Sequence, residues 1–226
     1  MKKTNVFKIA TFFLFLLLTI SNGMSQTFGV KGGLNLSNML LKDEDGDYFD
    51  DTKMLPGFHA GIFANIPISG SISFEPGLLL STKGLKVEEE DDDDFEASMK
   101  LNTFYADVPL TLKYTYILED LKIYGAAGPY VGIGISGKSK STYTYNGESE
   151  SEEETIEWGS DEDKDDLKRL DFGLTFGAGI SKGSILAGIS YDLGLANISP
   201  YTEDGTKNSN RVFRISIGYI FPAGKK

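Results

Sequence analysis

From Phe28 onward, apolar and polar residues alternate one by one in short runs separated by turn-forming residues, the period of a strand whose two faces meet different surroundings. Eight such runs can be marked: Phe28 to Ser37, Phe58 to Ile66, Ile72 to Lys83, Thr103 to Tyr114, Ile123 to Ser136, Arg169 to Ile180, Ile185 to Leu195 and Phe213 to Phe221. The connections alternate too. Pro67 to Ser71, Thr115 to Lys122 and Ser181 to Ser184 are short, whereas Asn38 to Pro56, Leu85 to Leu101, Gly137 to Lys168 and Ser199 to Asn210 are long and polar. An even number of strands with tight turns at one end and long loops at the other predicts an all-β fold: an eight-stranded antiparallel up-and-down transmembrane β-barrel with short periplasmic turns and long acidic extracellular loops.

Alternation alone also fits a water-soluble barrel that turns its polar face outward and encloses a ligand with its apolar one. The polar face decides between them. It is rich in glycine and small hydroxyl residues, which suits a narrow interior better than a solvated exterior, where Lys and Glu would recur. Aromatic residues gather near strand ends on the apolar face, with Phe28, Phe74, Tyr114, Tyr219 and Phe221 toward the periplasmic rim and Phe104 toward the other. Lipid-facing interface girdles have that placement.

The first 25 residues differ from the rest. Lys2, Lys3 and Lys8 surround the start of an apolar run from Ile9 to Ile20, too short to span a bilayer, and small Gly23 and Ser25 precede a cut ahead of Gln26. Residues 1–25 are therefore expected to be a secretory signal peptide and residues 26–226 the barrel domain.

Charge sharpens the picture. The chain holds 22 basic and 33 acidic residues, a formal charge of −11, or −14 once the three leader lysines are gone. A nucleic-acid partner is excluded on that balance. The four long connections carry 27 of the 33 acids, so one end of the barrel is strongly anionic. With no cysteine and one histidine, disulfide frameworks, thiolate chemistry and multi-histidine zinc sites fall away, and no cofactor is expected.

Few charges remain on the strands. Glu75, Asp107, Lys113, Asp171, Asp192 and Arg214 sit on the polar face and are expected to form a structural lumen network, with Glu75–Lys113 and Asp192–Arg214 as candidate pairs, because charges in a narrow interior must be neutralised. His59, also inward, has no serine placed beside it by sequence spacing, so no catalytic residue is assigned. The alternate acids Asp43, Asp45 and Asp47 resemble the start of a calcium loop, but Tyr48 and Met54 stand where that loop needs glycine and a bidentate glutamate, and no metal site is assigned. Tyr143, Tyr145 and Trp158 are candidate adhesive residues of the third long loop.

Several short segments, in order, resemble the PorT-like or porin-family outer-membrane β-barrel domain, similar in architecture to the OmpA transmembrane domain. They are Gly29-Val30-Lys31-Gly32-Gly33-Leu34-Asn35-Leu36-Ser37, Glu75-Pro76-Gly77-Leu78 with Lys83-Gly84, Asp107-Val108-Pro109-Leu110 running to Lys113-Tyr114, Gly128-Pro129-Tyr130, Gly177-Ala178-Gly179, and Gly218-Tyr219-Ile220-Phe221. The resemblance covers essentially all of residues 26–226. It implies an integral protein of the cell outer membrane, in contact with outer-membrane lipid and inserted by the barrel-assembly machinery. It also leaves room for an unknown surface partner or a secretion assembly. The expected function is a structural or surface-interaction role with a filled lumen and no enzymatic activity. A narrow cation-preferring pore is the alternative, and a lipid-modifying enzyme a more distant one.

Overall fold

Ten strands account for most of residues 26–42, 52–92, 95–145, 148–201 and 206–222, the residues described by the computed structural model. They are β1 (Thr27–Lys42), β2 (Thr52–Lys53), β3 (Leu55–Ser69), β4 (Ile72–Asp92), β5 (Phe95–Leu118), β6 (Leu121–Tyr145), β7 (Glu148–Thr155), β8 (Leu170–Lys182), β9 (Ile185–Gly194) and β10 (Lys207–Ile220). Eight of them form a ring in the order β1-β3-β4-β5-β6-β8-β9-β10, with every neighbour antiparallel. The first and last strands pair from Gly29 opposite Ile220 to Lys42 opposite Lys207, and this closes the sheet. Closure satisfies the backbone groups that an open edge would leave bare in an apolar medium.

The alternation sorts side chains as the sequence predicts, apolar outward and polar inward. Leu34, Ile62, Leu80, Leu112, Phe176, Ile189 and Ile215 are exposed on the outer surface, whereas Asn35, His59, Ser81, Thr103 and Asp107 are buried inside. Leu34 and Ile217 are 65% and 68% exposed. An apolar belt of that extent around a closed ring suits lipid, not water. The soluble alternative, with its apolar face inside, is not the arrangement adopted.

Three two-residue turns join the ring strands at one end, at Gly70-Ser71, Glu119-Asp120 and Gly183-Ser184. Each begins with a positive φ, +51° at Gly70, +54° at Glu119 and +58° at Gly183. Glycine reaches that region without strain, whereas a residue with a Cβ does so at a cost of roughly 1–2 kcal/mol. Glu119→Gly is therefore expected to stabilise the barrel by about 0.5–1 kcal/mol, glycine's extra chain entropy offsetting part of the gain. Urea unfolding in detergent checks it, and a loss of stability would contradict it.

Two expectations need correction at the other end. The connections at 85–101 and 137–168 are not simply loops: β4 and β5 continue as a paired hairpin to Asp92 and Phe95, and β7 adds a further strand to the extension of β6. The apolar inner positions Leu85 and Leu101 are buried. On β7, glutamates lie opposite Lys140 and the hydroxyl residues Ser139, Ser141, Tyr143 and Tyr145 of β6, and Lys138 bonds Glu153 diagonally, a cross-strand attraction that offsets the poor strand preference of glutamate. Similarly, β10 begins at Lys207, within the predicted loop 199–210. A second correction concerns the end of the fifth run, where unbroken alternation would put Ser136 on the polar inner face with Gly132 and Gly134. Phe104 faces Ser136 but Tyr105 faces Gly134, so a bulge at Ile135 inserts one residue and turns Ser136 to the exposed side while burying Gly137. The leader residues 1–25 and the acids Asp43, Asp45 and Asp47 lie outside the described residues.

Candidate functional site in the barrel lumen

The inward face forms three layers. Uppermost, at the end opposite the tight turns, lies an apolar plug. Met39, Leu85 and Leu101 project from β1, β4 and β5, and Ile156, Leu167, Ala196 and Ile198 come from the connecting segments, with Trp158 packed against them. Ile198 is fully buried. Trp158 was an adhesive candidate, but its ring stands edge-on to Tyr105 at 5.7 Å and lies over Gly134, where a Cβ would come within 2.2 Å of it. Tyr143 and Tyr145 do stay exposed.

Beneath the plug, charge is concentrated. Lys83, with no exposed side-chain surface, sits 2.8 Å from Asp107 and 2.9 Å from Asp171. Its ammonium also lies over the Tyr105 and Tyr130 rings, at 4.6 and 4.8 Å. The same Asp171 Oδ2 accepts hydrogen bonds from Tyr130 and from Asn210 Nδ2. Arg214 donates to Asp107 at 2.9 Å, to Ser81 and to Asp192, whose second oxygen accepts from Thr175. Charges removed from water persist only when paired and hydrogen-bonded in this way.

The third layer lies toward the tight turns. Glu75 joins Lys113 at 2.8 Å and Lys31 at 3.4 Å, and Lys113 also stands 4.0 Å from the centre of the Tyr124 ring. With these two lysines the lumen balances: Lys31, Lys83, Lys113 and Arg214 against Glu75, Asp107, Asp171 and Asp192. A cavity of about 60 Å³ bordered by Lys31, His59, Lys113, Arg214 and Ser216 separates the second and third layers. A wider recess of about 270 Å³, lined by Lys113 and by turn residues such as Gly70 and Gly183, adjoins it at the turn end.

All six residues assigned to a lumen network are thus inside, in two groups rather than one. Glu75 and Lys113 form the lower group, and Asp107, Asp171, Asp192 and Arg214 the upper. Lys83 and Lys31 are not among the six residues that the sequence assigns to the network, although Lys83 is the centre of its upper group. Their even spacing from Ser81 and Gly33 was the signal available. The plug residues carried no such signal, because Ile156, Leu167 and Ile198 lie in segments without alternation. Of the rim aromatics, Phe28, Tyr114, Tyr219 and Phe221 are exposed on the outer face, with Tyr219 and Phe221 in edge contact at 5.5 Å. Phe74 and Phe104 are half-buried, Phe104 against Phe58.

Three solved structures are similar. Ail, the attachment invasion locus protein of Yersinia pestis, is 17% identical with a TM-score of 0.35, over 88% of this chain and 100% of that one. Neisserial surface protein A is 14% identical with a TM-score of 0.40, over 85% and 95%. The outer membrane protein OprG of Pseudomonas aeruginosa is 15% identical with a TM-score of 0.39, over 88% and 98%. No curated protein matches the chain. The profile of one family, the outer membrane protein beta-barrel domain, matches residues 24–199. With that match across most of its length and a closed ring of eight strands, the chain belongs to the outer membrane protein beta-barrel domain family and is a protein of the outer membrane.

Proposed function

We propose that this protein is a PorT-like barrel with a structural or surface-interaction role, exposed at the cell surface through the extensions of β4 to β7, and that it does not conduct. The observation that carries this reading is the stacking of an apolar plug on a neutralised charge network, which fills the lumen from the extracellular mouth to below mid-barrel. Eight strands enclose little more than the side chains that fill them. The reading includes export by a signal peptide at residues 1–25, insertion by the barrel-assembly machinery into outer-membrane lipid, and a surface partner or secretion assembly engaged from outside. The exposed Tyr143 and Tyr145 on β6 and the wholly exposed acidic β7 supply the contact chemistry for such a partner. An enzyme acting on lipid is disfavoured because His59 is 2% exposed and points into the lumen, away from the lipid-facing belt.

Planar-bilayer recording of the refolded full chain tests this. The expected result is insertion without discrete current steps. Steps that prefer cations would favour the narrow pore, with the anionic mouth as its selectivity element.

A further inference from the structure

We infer that Ser216 is an activated nucleophile that accepts a small acyl group from a donor entering through the periplasmic mouth of the lumen. The inference concerns the opposite end of the barrel from the surface role and does not depend on it.

Three strands assemble the arrangement. His59 on β3 and Ser216 on β10 both lie opposite Gly33 of β1, one on each side. Because position 33 carries no side chain, the imidazole reaches across it, and Nε2 stands 2.9 Å from Ser216 Oγ. A Cβ at position 33 would fall 1.8 Å from the Ile215 carbonyl oxygen, so only glycine fits between the two strands there. The other ring nitrogen, Nδ1, is 2.7 Å from Asn35 Oδ1. The amide of Asn35 cannot be reversed, since its Nδ2 donates to the carbonyl oxygens of Phe58 at 2.9 Å and Thr82 at 2.8 Å. Asn35 Oδ1 must therefore accept from Nδ1–H, which leaves the Nε2 lone pair facing the serine hydroxyl. Nucleophile, base and base-orienting group then stand in the order that acyl transfer requires.

The surroundings fit the same chemistry. Ser216 borders the cavity of about 60 Å³, and Lys31 and Arg214 border it too. Arg214 is engaged with two aspartates, whereas Lys31 meets Glu75 Oε1 at 3.4 Å, Lys113 taking Oε2 at 2.8 Å, and lies 5.3 Å from the centre of the Phe63 ring, so Lys31 is the less tightly held cation for an oxygen that gains negative charge. The volume holds a few waters or an acetyl-sized group. A lipid acyl chain does not fit. The recess at the turn end adjoins this cavity at Lys113 and provides room for the leaving portion of a small ester.

In the step, the Ser216 Oγ–H proton passes to His59 Nε2 as the bond from Oγ to the acyl carbon forms. The ester C–O bond breaks, and the leaving oxygen takes the proton back from His59. Water can then regenerate the serine by the same route, releasing the acid. No oxidant or reductant enters.

The test is incubation of the folded full-length barrel in detergent with p-nitrophenyl acetate, followed by peptide mass mapping. Acetylation of Ser216 is expected, at least about tenfold faster than that of Ser190, which borders the same cavity without a histidine partner. His59→Gln, with the barrel still folded by its gel shift, should bring Ser216 down to the Ser190 rate. Equal labelling of the two serines in the natural chain, no label at Ser216 together with no p-nitrophenolate release above that of detergent buffer, or undiminished labelling in folded His59→Gln would each overturn the inference. The comparison with Ser190 stands even where the variant does not fold.

Discussion

Lys83→Met is expected to lower the stability of the barrel by about 3–5 kcal/mol, the range measured when one partner of a buried ion pair is removed and its counter-charge is left behind. Lys83 is fully enclosed and is the direct partner of both Asp107 and Asp171. Without it, three aspartates in the upper network face the single guanidinium of Arg214, and Asp171 keeps only the neutral donors Tyr130 and Asn210. Combining Lys83→Met with Asp171→Asn returns the group to its original net charge and should recover a large part of the loss. Urea-induced unfolding of the single and double variants in lipid vesicles measures both effects. A single variant as stable as the natural chain would mean that the network does not hold the lumen together.

Ile215→Arg is expected to cost about 2–4 kcal/mol or to block insertion, because it places a charge on the lipid-facing side near the middle of the span. Ile215 pairs with Leu34 on one side and Ile189 on the other, and all three are exposed on the outer belt. Tyr219, four residues along β10 on the same face, lies next to the rim residue Phe221. There the same substitution should cost only about 0–1 kcal/mol, since charge near the interface reaches water. Refolding both variants into vesicles gives the gradient. Equal costs at the two positions, or a larger one at Tyr219, would contradict the assignment of the belt.

The ring was legible in the sequence because period-two alternation is a direct imprint of a two-faced strand, and the turns were legible because glycine and short polar residues interrupt it. Parity also put Glu75, Asp107, Lys113, Asp171, Asp192 and Arg214 inside. It could not rank them, since a strand sequence does not say which neighbours will bring Lys83 between Asp107 and Asp171. Ser216 was invisible beside His59 for a related reason: 157 residues separate them, and the link depends on closure of the first strand against the last. Parity fails after a bulge, and Ile135 shows this by turning Ser136 outward. The strand extensions and the plug were hidden by composition. A segment such as Glu148–Thr155 has the charge of a solvated loop, yet it pairs with β6 because that strand offers lysines. Ile156 and Ile198 lie outside any periodic run, and their burial follows from the enclosed space above the network.

The central claim, a closed barrel whose apolar belt faces lipid and whose interior is held by paired charges, is tested most directly by heat-modifiability after membrane fractionation. Unheated and boiled detergent extracts of the outer-membrane fraction are compared on one gel. The account predicts that the protein is recovered in that fraction and that the unheated form migrates ahead of the boiled one, as a sheet sealed by β1 and β10 resists detergent at room temperature. Recovery as a soluble periplasmic protein with identical mobility before and after boiling would contradict it.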